Sequence, residues 1–193
     1  MKTPSLISDE QLIQLTINGD NNALAELVLR HKDRLYTSIC LLVKDKYLAE
    51  DIFQDTFIKA INTIIAGDYN DQGKFLSWIV RIAHNIRMDH FRKVKRNPVF
   101  KTANDQNLFD TINFSEPGAD DKMVRSEKHD KVREMLYLLP EEQREVVILR
   151  HYADLSFKEI ASATNCSINT ALGRMRYGLM NLNKMMGEKQ VAL

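Results

Sequence analysis

Apolar residues in this chain return every three or four positions along most of its length, a period that builds helices and not strands. Leu24, Leu27, Val28, Leu35, Ile39 and Leu42 form one such stripe and predict an amphipathic helix beginning after Asp20. A shorter helix is expected ahead of it, started by Ser8 with Gln11 as its capping-box partner and ended near Gly19. A third spans about 46–65, with Leu48, Ile52, Phe53, Phe57, Ala60, Ile61 and Ile64 inward and Gly67 as its stop. A fourth spans about 74–95, turning Phe75, Trp78, Ile79, Ile82, Ala83, Ile86 and, at its far end, Phe91 inward. Pro98 ends it. Only 7 glycines and 4 prolines punctuate the 193 residues, too few for a turn-rich all-β fold.

The period vanishes over 98–121, where Lys101 stands against Asp105, Asp110, Glu116, Asp120 and Asp121. So long a structureless run is unusual inside one domain. The expected fold is therefore all-α, with two small helical domains, 1–97 and 122–193, joined by a flexible acidic linker, 98–121. Helices resume near Lys122, marked by Val124, Val132, Met135, Leu136 and Leu139. Pro140 fits the first turn of the next, which carries Val146, Val147, Leu149 and Tyr152. Ser156 and Glu159 then form a second capping box, with Leu155 and Ile160 as its apolar staple. A short helix to about Ala163, a turn at Thr164-Asn165-Cys166 and a helix capped by Ser167 make a helix-turn-helix. In that last helix Ile168, Ala171, Met175, Leu179, Leu182 and Met186 are expected inward.

Several function classes fall away. Cys40 and Cys166 are far apart, and no metal-like C-x-x-C or H-E-x-x-H spacing exists. No phosphate-cradling glycine loop or nucleophile–base set appears, so neither an enzyme nor a cofactor is implied. The longest apolar run is Ile39 to Val43, far below a membrane span, and a cytoplasmic protein is expected.

The formal charge of +1 looks unsuited to nucleic acid, but it is a balance of +2 over 1–97, −4 over 98–121 and +3 over 122–193. From Arg81 to Arg96 six cations face Asp89 alone. Arg81, Asn85, Met88, Arg92 and Lys95 share one helical face, either a solvated surface or a stripe for phosphates. Asp51, Gln54, Asp55 and Ile58 share a face of the third helix, with Glu50 beside them, an arrangement that also suits a basic protein partner. Between these helices Asp68, Tyr69, Asn70, Asp71 and Gln72 offer polar groups for base edges and a ring for stacking. In the last helix Asn169, Thr170, Gly173, Arg174, Arg176, Tyr177 and Asn181 are expected outward, where a helix-turn-helix meets the major groove.

Together these features resemble the extracytoplasmic-function (ECF) type of bacterial RNA polymerase sigma factor. Ala49-Glu50-Asp51-Ile52-Phe53-Gln54-Asp55-Thr56-Phe57 is similar to the signature of that family's region 2.2. Phe75 to Asn85, continued by Asp89-His90-Phe91-Arg92, resembles the following run, and Leu139-Pro140, Arg144 and Leu155 to Ala161 resemble the start of region 4. The resemblance implies a transcription initiation factor that binds core RNA polymerase through Glu50, Asp51, Gln54, Asp55 and Ile58. It implies that Asp68, Tyr69, Asn70, Asp71, Gln72, Trp78, Arg81, Asn85, Arg92, Lys95 and Arg96 hold the minus-ten element of promoter DNA. Ser167, Asn169, Thr170, Gly173, Arg174, Arg176 and Tyr177 would read the minus-thirty-five element. It further implies an anti-sigma factor partner, often membrane-anchored, and no small-molecule substrate. The chain departs from the family at Asn165, where glycine is usual, and at Leu172 and Gly173, where a basic residue and serine are common. Spacing leaves open whether Leu172 packs or touches a thymine methyl. The alternative is a stand-alone regulator that uses the helix-turn-helix alone.

Overall fold

The computed structural model describes residues 7–70, 74–96 and 131–188, and these fold as helices joined by short turns. The first bundle contains α1 (Asp9–Ile17), α2 (Asn21–Val43), α3 (Lys46–Ile65) and α4 (Phe75–Arg96). The second contains α5 (131–138), α6 (Glu141–His151), α7 (Phe157–Ala163) and α8 (Ile168–Glu188). The acidic stretch 98–121, with Pro98, Val124 and both expected domain limits, lies outside the described residues.

Side chains set the helix ends as their chemistry predicts. The Ser8 and Gln11 side chains exchange backbone hydrogen bonds in a capping box, and Asp20 accepts from the amides of Asn22 and Ala23 at the start of α2. Asp45 accepts from the Leu48 amide and starts α3. Gly19 (φ 91°) and Gly67 (φ 77°) make the left-handed turns that follow α1 and α3. Each cap satisfies amides that the first helical turn leaves without partners.

The apolar stripes meet in the middle. Leu27, Leu35, Ile52, Ile64, Phe75 and Ile79 are buried in the first bundle, and Val146, Ile148, Leu149, Ile160 and Ala171 in the second. The second bundle packs α6 against α2 and α7 against α4. Leu41 and Leu42 of α2 close against Ile148 of α6, so the two apolar cores touch.

Three expectations are corrected. Phe91 is 39% exposed, because the last turns of α4 run past the bundle. Pro140 is the N-cap of α6, one position before its first turn, in an extended conformation (ψ 140°). In α8, Ile168 and Leu179 face solvent, each 46% exposed. The inward position after Met175 is Gly178, because α6 lies so close that a Cβ there would stand 3.1 Å from Val147 Cγ2.

Candidate nucleic-acid and protein interfaces

On α3 one face is closed and the other open. Ile52, Thr56 and Ala60 are buried, and the Thr56 hydroxyl donates to the Ile52 carbonyl at 2.6 Å. Opposite them Asp51, Gln54 and Asp55 are exposed, and Ile58 is 57% exposed at their edge. Glu50 is half-buried and lies 4.0 Å from Lys46. Neither Asp51 nor Asp55 forms an ion pair among the described residues, so both carboxylates remain open to a cationic partner. An open groove lined by Asp55, Ile58, Asn62, Asp68 and Ile86 runs from this face to the loop before α4.

In that loop Asp68 and Asn70 are exposed, while Asp71 and Gln72 lie outside the described residues. Tyr69 is placed differently from a freely displayed ring. It packs edge-on against half-buried Trp78, with centroids 4.6 Å apart, and tilts over Phe75 at 6.1 Å. An apolar ring gains more from that cluster than from water, so Tyr69 helps anchor the loop on α4.

On α4 Arg81, Asn85, Arg92, Lys95 and Arg96 are exposed and Met88 half-buried, which leaves a cationic face. Arg92 also meets Asp89 at 3.1 Å. Arg87 is not part of that face. It is only 2% exposed, and its Nη1 and Nη2 donate to Glu141 Oε1 and Glu145 Oε1 of α6, each at 2.7 Å. His84 Nδ1 joins Glu145 Oε1 at 2.8 Å. Burial pushes the Glu145 carboxyl up, but the His84 hydrogen bond and the Arg87 charge outweigh it and hold the pKa below its ordinary value. The signal was present in the sequence: Arg87 falls in the register of Val80 and Ala83, and Glu145 heads the apolar run 146–149. Two opposite charges at core positions announce a buried pair.

The helix-turn-helix is built locally. The Ser156–Glu159 capping box starts α7. Asn165 takes the left-handed conformation (φ 53°) that the turn requires, which asparagine tolerates without glycine. Ser167 Oγ accepts from the Thr170 amide at 3.0 Å and lies 2.8 Å from its hydroxyl, so both side chains are engaged at the head of α8. Asn169 and Arg176 are exposed, and Tyr177 is 59% exposed. Arg174 lies back on α6, with Nη2 3.5 Å from Glu142 Oε1, and Asn181 donates to the Gln143 side chain at 2.8 Å. The outward set expected from the sequence thus divides, with Asn169, Gly173 and Arg176 on the open side and Arg174 and Asn181 turned toward α6.

The family model for Sigma-70 region 2 matches residues 27–97, and that for Sigma-70 region 4 matches residues 129–175. The first spans α3 and α4 and the second the helix-turn-helix, so the likeness extends well beyond a lone DNA-binding motif. The ECF RNA polymerase sigma factor SigW of Bacillus subtilis is 30% identical over 87% of this chain and 91% of its own length. RNA polymerase sigma-H factor of Pseudomonas aeruginosa is 29% identical over 86% and 88%. Two solved structures share the fold. CnrH in complex with the cytosolic domain of CnrY has a TM-score of 0.65 at 20% identity, covering 93% of this chain and 97% of that one. RpoE in complex with the anti-sigma factor NepR from Bartonella quintana has a TM-score of 0.66 at 21% identity, covering 85% and 96%. Joined to an all-helical fold that carries an open acidic face, a basic helix and a helix-turn-helix, these matches show that the chain belongs to the ECF RNA polymerase sigma factors, transcription initiation factors that direct the polymerase to promoters.

Proposed function

We propose that the three exposed faces divide the work of promoter recognition, within domains spanning 1–97 and 122–193. The acidic face of α3 (Glu50, Asp51, Gln54, Asp55, Ile58) docks on core RNA polymerase. Its open carboxylates provide complementarity, and Ile58 provides an apolar centre that loses water on contact. The loop from Asp68 to Gln72 and the cationic face of α4 (Arg81, Asn85, Arg92, Lys95, Arg96) hold the minus-ten element. Lysine and arginine there displace counterions from phosphates, and Asp68 and Asn70 reach the edges of an extruded base. Trp78 acts through Tyr69, by fixing the loop that approaches that base. The open side of α8, with Asn169, Gly173, Arg176 and Tyr177, reads the minus-thirty-five element, while Ser167, Thr170 and Arg174 orient it.

This chain binds and positions; polymerase performs the chemistry, in the cytoplasm. None of the helices among the described residues is long and apolar enough to cross a membrane. A basic or amphipathic anti-sigma factor that covers the α3 face fits the same charges, and RpoE, one of the two similar structures, is bound to the anti-sigma factor NepR.

The observation that carries this reading is the segregation of charge. Asp51 and Asp55 on α3, which form no ion pair among the described residues, and exposed cations on the adjacent α4 would neutralise each other if folding alone were served. Reversing Asp51 and Asp55 to lysine is expected to abolish capture of core polymerase in a pull-down while the circular dichroism spectrum is unchanged. Undiminished capture would refute the assignment.

A further inference from the structure

Two adjacent residues stand toward the open side of α8. Leu172 is 43% exposed, although it follows fully buried Ala171. Gly173 comes next, and a Cβ built on it meets nothing within 4 Å. Glycine is the poorest helix former after proline, so a helical position with room for a side chain carries it at a cost to the helix. Gly178 shows the contrast, since there a Cβ would stand 3.1 Å from Val147. The bare backbone at Gly173 therefore suits the close approach of something outside the protein. Asn169, three residues before Leu172, and Arg176, four after it, are exposed beside this step.

In the major groove asparagine pairs with adenine, arginine with guanine, and an alkyl group contacts the thymine methyl. We propose that Leu172, beside the gap at Gly173, contacts the 5-methyl group of a thymine in the minus-thirty-five element and makes this chain select a T·A pair at that position. The proposal rests on α8 being the minus-thirty-five reader.

The test uses holoenzyme assembled from the full chain and core polymerase. Promoters are selected from a library randomised at the minus-thirty-five element, and each selected thymine is then replaced by deoxyuridine, which removes only the methyl. One replacement is expected to weaken binding about fourfold, the worth of one buried methyl at ~0.8 kcal/mol. The Leu172→Ala holoenzyme is expected to bind thymine and deoxyuridine promoters equally, with its affinity for core polymerase unchanged. Gly173→Ala is expected to raise the Tm of the free chain and yet lower minus-thirty-five-dependent transcription. Selection without a methyl-sensitive thymine, or a methyl effect that persists in Leu172→Ala, overturns the assignment and leaves α8 as the reader. Absence of any minus-thirty-five preference overturns both. Loss of core affinity in Leu172→Ala would place the leucine against protein and also overturn it.

Discussion

Glu145→Ala is the sharpest test of how the two bundles are held together. The Glu145 and Arg87 side chains are 6% and 3% exposed, and His84 shares the same carboxylate oxygen. Removing the carboxylate leaves Arg87 buried with Glu141 alone, whose direct 2.7 Å contact is screened by solvent because that side chain is 53% exposed. Breaking one side of a buried pair costs about 3–5 kcal/mol, whereas Glu141→Ala removes a half-solvated partner worth about 1 kcal/mol or less. Because the pair bridges α4 and α6, the loss falls on closure of one bundle on the other, a shift of at least about a hundredfold toward open forms. Opening matters for promoter recognition. Elements named minus-ten and minus-thirty-five are 25 base pairs apart, about 85 Å at 3.4 Å per base pair. A closed body of the 145 described residues has a radius of gyration of about 15 Å. Small-angle scattering should show Glu145→Ala expanded, and calorimetry should split its unfolding into two transitions. The double variant Arg87→Met/Glu145→Leu should stay closed, because apolar side chains of similar volume replace buried pairs at little cost. Acid should act like the mutation. A carboxyl held below its ordinary pKa contributes stability above about pH 4.5, and that contribution is lost as pH falls through the depressed value. A Glu145→Ala protein with wild-type radius and a single wild-type transition, or a double variant as open as the single, would refute the reasoning.

Arg176→Ala should weaken minus-thirty-five binding in a mobility-shift assay more than Arg174→Ala, since Arg176 is exposed and Arg174 is turned toward Glu142. Gly178→Val should lower the unfolding free energy in urea by about 1–3 kcal/mol, the usual cost of overpacking, because α6 leaves no room there. His31 provides a second pH dependence. Burial lowers its pKa below 6.5 despite Asp9 at 2.7 Å, so the unfolded chain takes up the proton first. Stability is full above pH 6.5 and falls as pH drops toward the lowered value, and His31→Gln should flatten that part of the urea-unfolding profile.

Much of the molecule was legible in local sequence. The limits 46–65 of α3, the end of α7 at Ala163, both capping boxes and the turn at Asn165 agree with the structure. Each depends on residues within four positions of one another, the range over which helix geometry and caps act. The same period separated the exposed faces of α3 and α4 from their buried ones. What it left undecided involves partners distant in the chain. The register of Arg87 with Val80 and Ala83 marks it as inward, but its partner Glu145 lies 58 residues on and is supplied only by packing. Gly178 has no hydropathy to mark it as core, and only the approach of Val147 makes it so. The loop sequence left the Tyr69 ring open to solvent and the helical wheel of α8 did the same for the Arg174 charge, and Trp78 and Glu142 claimed them. A 3.6-residue period states which side of a helix must be covered. Which charge, ring or bare backbone covers it is decided only when helices far apart in sequence pack and share the same small volume.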